Sequence, residues 1–276
     1  MLALLPAAQA ATTIDASSKY AYGANIGWLN GVADTNNGAV IGEYICSGYL
    51  YAANVGWINL GGGAPANQIQ YQNNSATDFG VNQDGLGNLT GYAYGANIGW
   101  INFEQTYGKP KVDLLTGNLS GSVWSANCGW ISLSNAVAFV QTDSMQKSKL
   151  APDGLPVAWL MLNFGTTNVN ANADADGDGI SNADEYQAGT SPTNSADYLH
   201  ITGFSRNTNP ADPTYNILTW ASQPTRFYAV QTSTNLATGV FSDYLVLPYP
   251  GLNSVGFNRL SDQEFYRIRA YRPLMP

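Results

Sequence analysis

The sequence predicts a mainly β protein: a repeat-built N-terminal all-β domain, a short helical linker around an acidic loop, and a C-terminal β-sandwich. Three observations carry that expectation. The nine residues "YAYGANIGW" at Tyr20–Trp28 return unchanged at Tyr92–Trp100. The run "DADGDGISNADE", Asp174 to Glu185, sets acids at alternate positions before a glycine. Beyond Tyr198, short apolar and polar residues alternate in run after run, the period of strands rather than helices.

Aligned on Gly-Trp, the first region holds four copies: "KYAYGANIGWLN", "GYLYAANVGWINL", "GYAYGANIGWINF" and "GSVWSANCGWISL". Tyr20 and Tyr22 are two apart and share one face of a strand, as do Ile26 and Trp28. Gly-Ala-Asn between them suits the bend of a hairpin, because Gly and Asn tolerate positive φ. Before the third and fourth copies, "VNQDGLGNLT" and "KVDLLTGNLS" each supply a short strand, a Gly-Asn turn and a lead-in, so the unit has about three strands. Successive Gly-Trp pairs lie 29, 43 and 30 residues apart, which places an insertion, "GGGAPANQIQYQNNSATD", between the second and third units as a surface loop. Residues 11–145 thus form one repeat domain, closing as a barrel, a sandwich or an open stack.

Gly27, Gly56, Gly99 and Gly129 face opposite to the neighbouring indoles and leave room for close approach. Large aromatics serve cores well, so Trp28, Trp57, Trp100 and Trp130 are expected inside. The competing reading is a platform of exposed aromatics. Cys128 takes the column held by Ile26, Val55 and Ile98, the place of a small hydrophobe. With Cys46 it makes an even pair, compatible with one disulfide or with two buried thiols. Covalent haem is excluded, since no Cys-x-x-Cys-His occurs.

The 276-residue chain carries only 11% charged residues and a net charge of −8. That disfavours nucleic acid, whose phosphates need clustered Lys and Arg. All five lysines precede Leu150 and all six arginines follow it, a change of usage between domains. The opening "MLALLPAAQAATT" is a short apolar run followed by Ala-Gln-Ala, so residues 1–10 are either a signal-peptide-like segment or a retained apolar N-terminal segment. No later stretch reaches the roughly 18 apolar residues of a membrane span.

The acidic run matches D-x-[DN]-x-[DN]-G-x5-E without a miss. Calcium takes six to eight hard oxygens, and this spacing offers Asp174, Asp176 and Asp178 by carboxylate, Ile180 by carbonyl, Asn182 directly or through water, and Glu185 by both oxygens. Gly179 makes the sharp turn. In the same frame upstream, Asp153 and Gly154 fall on the fifth and sixth positions, but Lys149, Ala151 and Leu160 replace ligands. One Ca2+ is therefore expected in an EF-hand-like calcium linker over 146–197, with Trp159, Leu162 and Phe164 packing against Ile180 and Tyr186. Residues 198–276 supply six or seven short strands, with Phe265, Arg267 and Arg269 alternating against Tyr266, Ile268 and Ala270, for a β-sandwich. His200, the one histidine, lacks a Ser or Cys context for a triad. The sequons at Asn73, Asn88 and Asn118 carry no information in so Asn-rich a chain.

The four units resemble the tandem GYAW-x-x-N-x-GWI-x-F repeats of large exported bacterial proteins. The run from Asp153 to Asp197 resembles the thrombospondin type-3-like or dockerin-like calcium linkers of secreted bacterial proteins. The last segment, in "LTW", "QPTRFYAVQTSTNL" and "EFYRIRA", resembles their appended fibronectin type III-like modules, which implies an Ig/fibronectin III-like β-sandwich over 198–276. These resemblances imply location and architecture more than chemistry: secretion or the cell surface, and a structural ion. With no convergent acid, base and nucleophile in the sequence, the expectation is a non-enzymatic extracellular structural protein. It would self-associate, as a subunit of a filament, layer or matrix, through β-edges or the N-terminal segment. The alternative is a secreted glycan-binding or adhesive protein that presents its aromatic rows to polysaccharide.

Overall fold

The computed structural model describes residues 12–206, 215–258, 263–272 and 274. The N-terminal segment 1–10 lies outside them. The chain divides into two compact units, residues 1–149 with 274–276, and residues 150–273.

Each Gly-Trp copy folds as a hairpin for local reasons. In the first, β1 (Ile14–Gly23) and β2 (Gly27–Asn30) run antiparallel, with Tyr22 opposite Trp28. The Ile26 N–H donates to the Gly23 carbonyl at 3.1 Å, closing a β-turn, and Gly27 follows at φ +79°. Only glycine takes that backbone without strain. Positive φ was expected within Gly-Ala-Asn, at Gly or Asn; it falls on the glycine before tryptophan instead. The same hairpin recurs as β3 (Tyr49–Ala52) with β4 (Gly56–Asn59), β5 (Leu89–Gly95) with β6 (Gly99–Asn102), and β7 (Ser122–Ser125) with β8 (Gly129–Ser132).

Adjacent hairpins pair β2 with β3, β4 with β5 and β6 with β7. Strand β8 then returns to β1, with Tyr22 opposite Ser132, so eight strands close into an antiparallel barrel. Eight is the number at which side chains alone fill the interior. Leu29, Ile58, Ile101 and Ile131 make one buried layer, and Ile26, Ile98 and Cys128, with the partly buried Val55, make another near the turns. Gly23, Ala52, Gly95 and Ser125 are small because of that second layer: a Cβ on Gly23 would stand 2.8 Å from Ile26 Cγ1.

With the aliphatic residues inside, strand alternation sends the indoles out. Trp28, Trp57, Trp100 and Trp130 are 44%, 46%, 47% and 44% exposed. The expectation that they build the core is therefore overturned. A barrel of this size has room for Leu, Ile and Val but not for four indoles, and the bulk goes to the outer wall.

Beneath the hairpins lies a lower tier of short pairs. Val81–Gln83 pairs with the start of β5, and Lys111–Val112 pairs with Leu119–Ser120, giving the three-strand unit expected for the third and fourth copies. Val40–Ile41 pairs with Cys46–Ser47, and β9 (Val140–Thr142) pairs with β1. The insertion after Gly61 is not simply a surface loop. Tyr71 within it is buried, its hydroxyl donates to the Cys46 carbonyl at 3.2 Å and accepts from the Gly63 N–H at 2.7 Å. Asn82 pairs with the Tyr71 backbone through both its amide groups. Cys46 and Cys128 are both buried free thiols, which resolves the open alternative against a disulfide.

In the second unit, α1 (Val157–Phe164) and α2 (Asn182–Ala188) flank the acidic loop. After them the described residues form six strands in two antiparallel sheets: β10 (Ile201–Arg206), β11 (Tyr215–Trp220) and β14 (Ser254–Asn258) in order 10-11-14, and β12 (Phe227–Ser233), β13 (Ser242–Val246) and β15 (Phe265–Tyr271) in order 13-12-15. Leu218, Val230 and Phe257 join the two sheets in one apolar cluster with Ile268. This is the expected β-sandwich, with Arg267 and Arg269 exposed and Ala270 buried.

Candidate metal centre and aromatic wall

The acidic loop is held open by its own backbone. Asp174 Oδ1 accepts the Gly177 N–H at 2.7 Å, and its Oδ2 accepts the Gly179 N–H at 2.8 Å. These bonds, led by that from Gly179, hold its carboxyl below the ordinary carboxylate range. Asp178 Oδ1 accepts the Ile180 N–H at 2.8 Å. Ser181 then caps α2, its hydroxyl accepting from the Asp184 N–H, which fixes Asn182 and Glu185 on the turn facing the loop. Carboxylate oxygens of Asp174, Asp176 and Asp178 lie within 4.8 Å of one another.

What distinguishes this cluster from an ordinary acidic turn is its floor. Asn182 and Glu185 are fully buried. Asp176 Oδ2, Asp178 Oδ2, Asn182 Oδ1 and both Glu185 carboxylate oxygens are buried without a hydrogen-bond partner. Five orphaned acceptors on one loop and the helix that follows it are costly unless a cation satisfies them. Burial, and after it the charges of Asp176, Asp178 and Asp174, push the Glu185 carboxyl up to about 7. With one oxygen of Asp174 and the Ile180 carbonyl, which the motif spacing supplies, the orphaned five would give seven hard donors, within the six to eight a calcium ion takes. The residues present fit the ion.

The loop is tied to its own unit through the far end of α2. Gly189 ends the helix at φ 78°. Arg226 caps the last turn, donating from Nε to the Gln187 carbonyl at 2.9 Å and from Nη2 to the Tyr186 carbonyl at 3.0 Å. Gln187 Nε2 donates to the Ala270 carbonyl on β15 at 3.1 Å. Trp159 on α1 meets the Tyr186 ring edge-on at 5.5 Å, as expected from the sequence. Leu162 does not join them; it is 54% exposed. In the upstream degenerate loop, Leu160 fills the twelfth ligand position as a fully buried apolar side chain, so that position contributes packing in place of an oxygen. His200 stacks on Tyr198 at 4.2 Å, with Nδ1 2.8 Å from the Tyr198 carbonyl.

The barrel wall has a second regular feature that the sequence pattern alone does not show. Strand register sets Tyr20 beside Asn30, Asn30 beside Tyr51 and Tyr51 beside Trp57, a stepped row across two hairpins. The next two rows run Tyr49, Asn59, Tyr94, Trp100 and Tyr92, Asn102, Trp124, Trp130. The fourth closes the ring as Ser122, Ser132, Tyr22, Trp28. Within each hairpin the rings tilt together: Tyr22 and Trp28 are 4.8 Å apart at 56°, as are Tyr51 and Trp57. Sequence reasoning found the repeat but not the rows, because the rows depend on which hairpin sits beside which.

No protein-family model, curated protein or solved structure matches the chain.

Proposed function

We propose that this chain is a non-enzymatic extracellular structural protein whose C-terminal unit is locked by one Ca2+, held by Asp174, Asp176, Asp178, Ile180, Asn182 and Glu185. The carrying observation is the Glu185 carboxylate, fully buried with neither oxygen bonded, under three aspartates. A group so placed raises the free energy of the empty fold, and a divalent cation reverses the sign of its surroundings. Millimolar calcium outside a cell would fill such a loop. The ion then acts as a rivet between the loop and α2.

Calorimetric titration of chelator-treated protein tests this. One calcium per chain is expected, with a rise in melting temperature. Absence of binding at millimolar calcium, in protein that is otherwise folded, would remove the ion from the proposal.

Assembly into a filament, layer or matrix is the sharper form of the structural reading. Closure of the barrel leaves its eight strands no free edges, so strand addition would use the sandwich strands that are at an edge among the described residues, β10, β14, β13 and β15. Electron microscopy and sedimentation of the full chain with calcium decide it. A strictly monomeric species at all concentrations counts against assembly and leaves the metal site untouched.

A further inference from the structure

We propose that the outer wall of the barrel binds a neutral polysaccharide, each stepped row of aromatic and amide side chains forming one subsite. This goes beyond the calcium reading and rests on different residues. Single exposed hydrophobes need no explanation, but a repeated patch does. Here the same outward indole stands at 44–47% exposure in all four hairpins, next to an aliphatic residue that packs inside.

The row Tyr20, Asn30, Tyr51 and Trp57 shows the chemistry. Its two ends offer ring surface, on which the C–H face of a pyranose stacks, and Asn30 between them offers an amide. Asn30 Oδ1 accepts the Val32 N–H at 3.0 Å, which fixes the side chain with its NH2 left to donate to a sugar hydroxyl. Four adjacent strands span about 14 Å, the length of a short oligosaccharide. No member of any row is charged, in a chain of net charge −8, so an uncharged polymer suits the wall and a polyanion is repelled. An acyl-chain environment is a poor match, because six of the eight barrel strands have four residues, well short of the 9–11 that cross a bilayer, and an amide interrupts three of the four rows.

The fourth row has Ser122 and Ser132 where the others carry an aromatic ring and an amide. Three rows are therefore complete and one is degenerate. Repeated weak subsites on one rigid ring favour a polymer over a free sugar, since each further contact is intramolecular.

The test uses the full chain with calcium, retained on insoluble cellulose, chitin, starch, mannan and β-1,3-glucan, with titration of soluble oligomers of whichever retains it. Retention by at least one is expected, weakened about 10-fold by Trp57→Ala and abolished by the triple change of Trp57, Trp100 and Trp130 to alanine, with the far-UV circular dichroism and cooperative melting of a folded protein retained. Installing Ser122→Tyr with Ser132→Asn should strengthen binding. No retention on any of these polymers overturns the proposal, as does retention that survives the triple variant. So does concentration-dependent self-association that the triple variant abolishes, because the wall is then covered by a second copy.

Discussion

Asn25 Nδ2 donates to the carbonyl of Cys128 at 3.0 Å across 103 residues of sequence. It is one of four bonds that run around the rim in the same sense. Asn54 donates to Ile26, Asn97 to Val55 and Asn127 to Ile98, each asparagine reaching the turn of the hairpin before it. The glycine after that turn is needed for its positive φ and not to admit the amide, since a Cβ on Gly27 would meet Asn54 Nδ2 at 3.4 Å, an ordinary contact. At the other tier, Thr142 Oγ1 lies 2.9 Å from Thr13 Oγ1. The first and last copies are thus fastened at both ends of the barrel.

Asn25→Ala should cost about 1 kcal/mol, the usual worth of a bond to a partly buried carbonyl. Asn97→Ala should cost less, because its bond is exposed to water. Chemical denaturation of the two variants measures the difference.

Core and wall should respond oppositely to truncation. Ile101→Ala removes a buried side chain from the barrel layer and should cost about 2–5 kcal/mol. Trp100→Ala, next to it in sequence but outside, should cost well under half of that. Melting curves of the pair check the assignment of faces.

Calcium and pH are linked through Glu185. Its carboxyl is raised to about 7 in the folded, metal-free protein against an ordinary 4.5. A raised acid favours the fold where it is protonated, below about 4.5, and that contribution is lost as pH climbs toward 7. Chelated protein should therefore lose stability between pH 4.5 and 7, whereas protein in millimolar calcium should not. Calcium affinity should tighten over the same interval, as the proton ceases to compete. Glu185→Gln should remove the pH effect and weaken calcium binding; melting with and without chelator across this range measures both.

Both thiols should be silent in the folded protein. Burial pushes Cys46 up to about 12, and the thiolate is the reactive form. A thiol reagent should find no group in native protein and two after denaturation, without prior reduction. Cys128→Val should cost less than about 1.5 kcal/mol, since Val55 fills the equivalent place in the second copy.

The parts of the fold that were legible in the sequence are those with local causes. Gly-Ala-Asn with a following glycine specifies a turn, alternation specifies strands, and the loop from Asp174 to Glu185 specifies its own curvature. What was not legible depends on closure. Ile26 and Trp28 share a strand face by simple alternation, yet Ile26 lies inside and Trp28 outside, because Gly27 at positive φ breaks the pleat between them. Nor does the strand pattern of "GGGAPANQIQYQNNSATD" announce that Tyr71 folds back onto Cys46, a contact made across 25 residues. At the metal centre the candidate ligands follow from spacing alone, whereas the burial of Glu185 required the second helix to be in place.

The circular pairing of the hairpins also fixes how many there can be. An open stack of repeats tolerates a copy gained or lost at its end, but here a fifth hairpin would have to widen the circumference and leave Leu29, Ile58, Ile101 and Ile131 too far apart to meet. A three-hairpin ring would be too tight to hold them. Duplication of this module within a gene should therefore proceed in whole rings, four hairpins at a time, each fastening its last turn to its first.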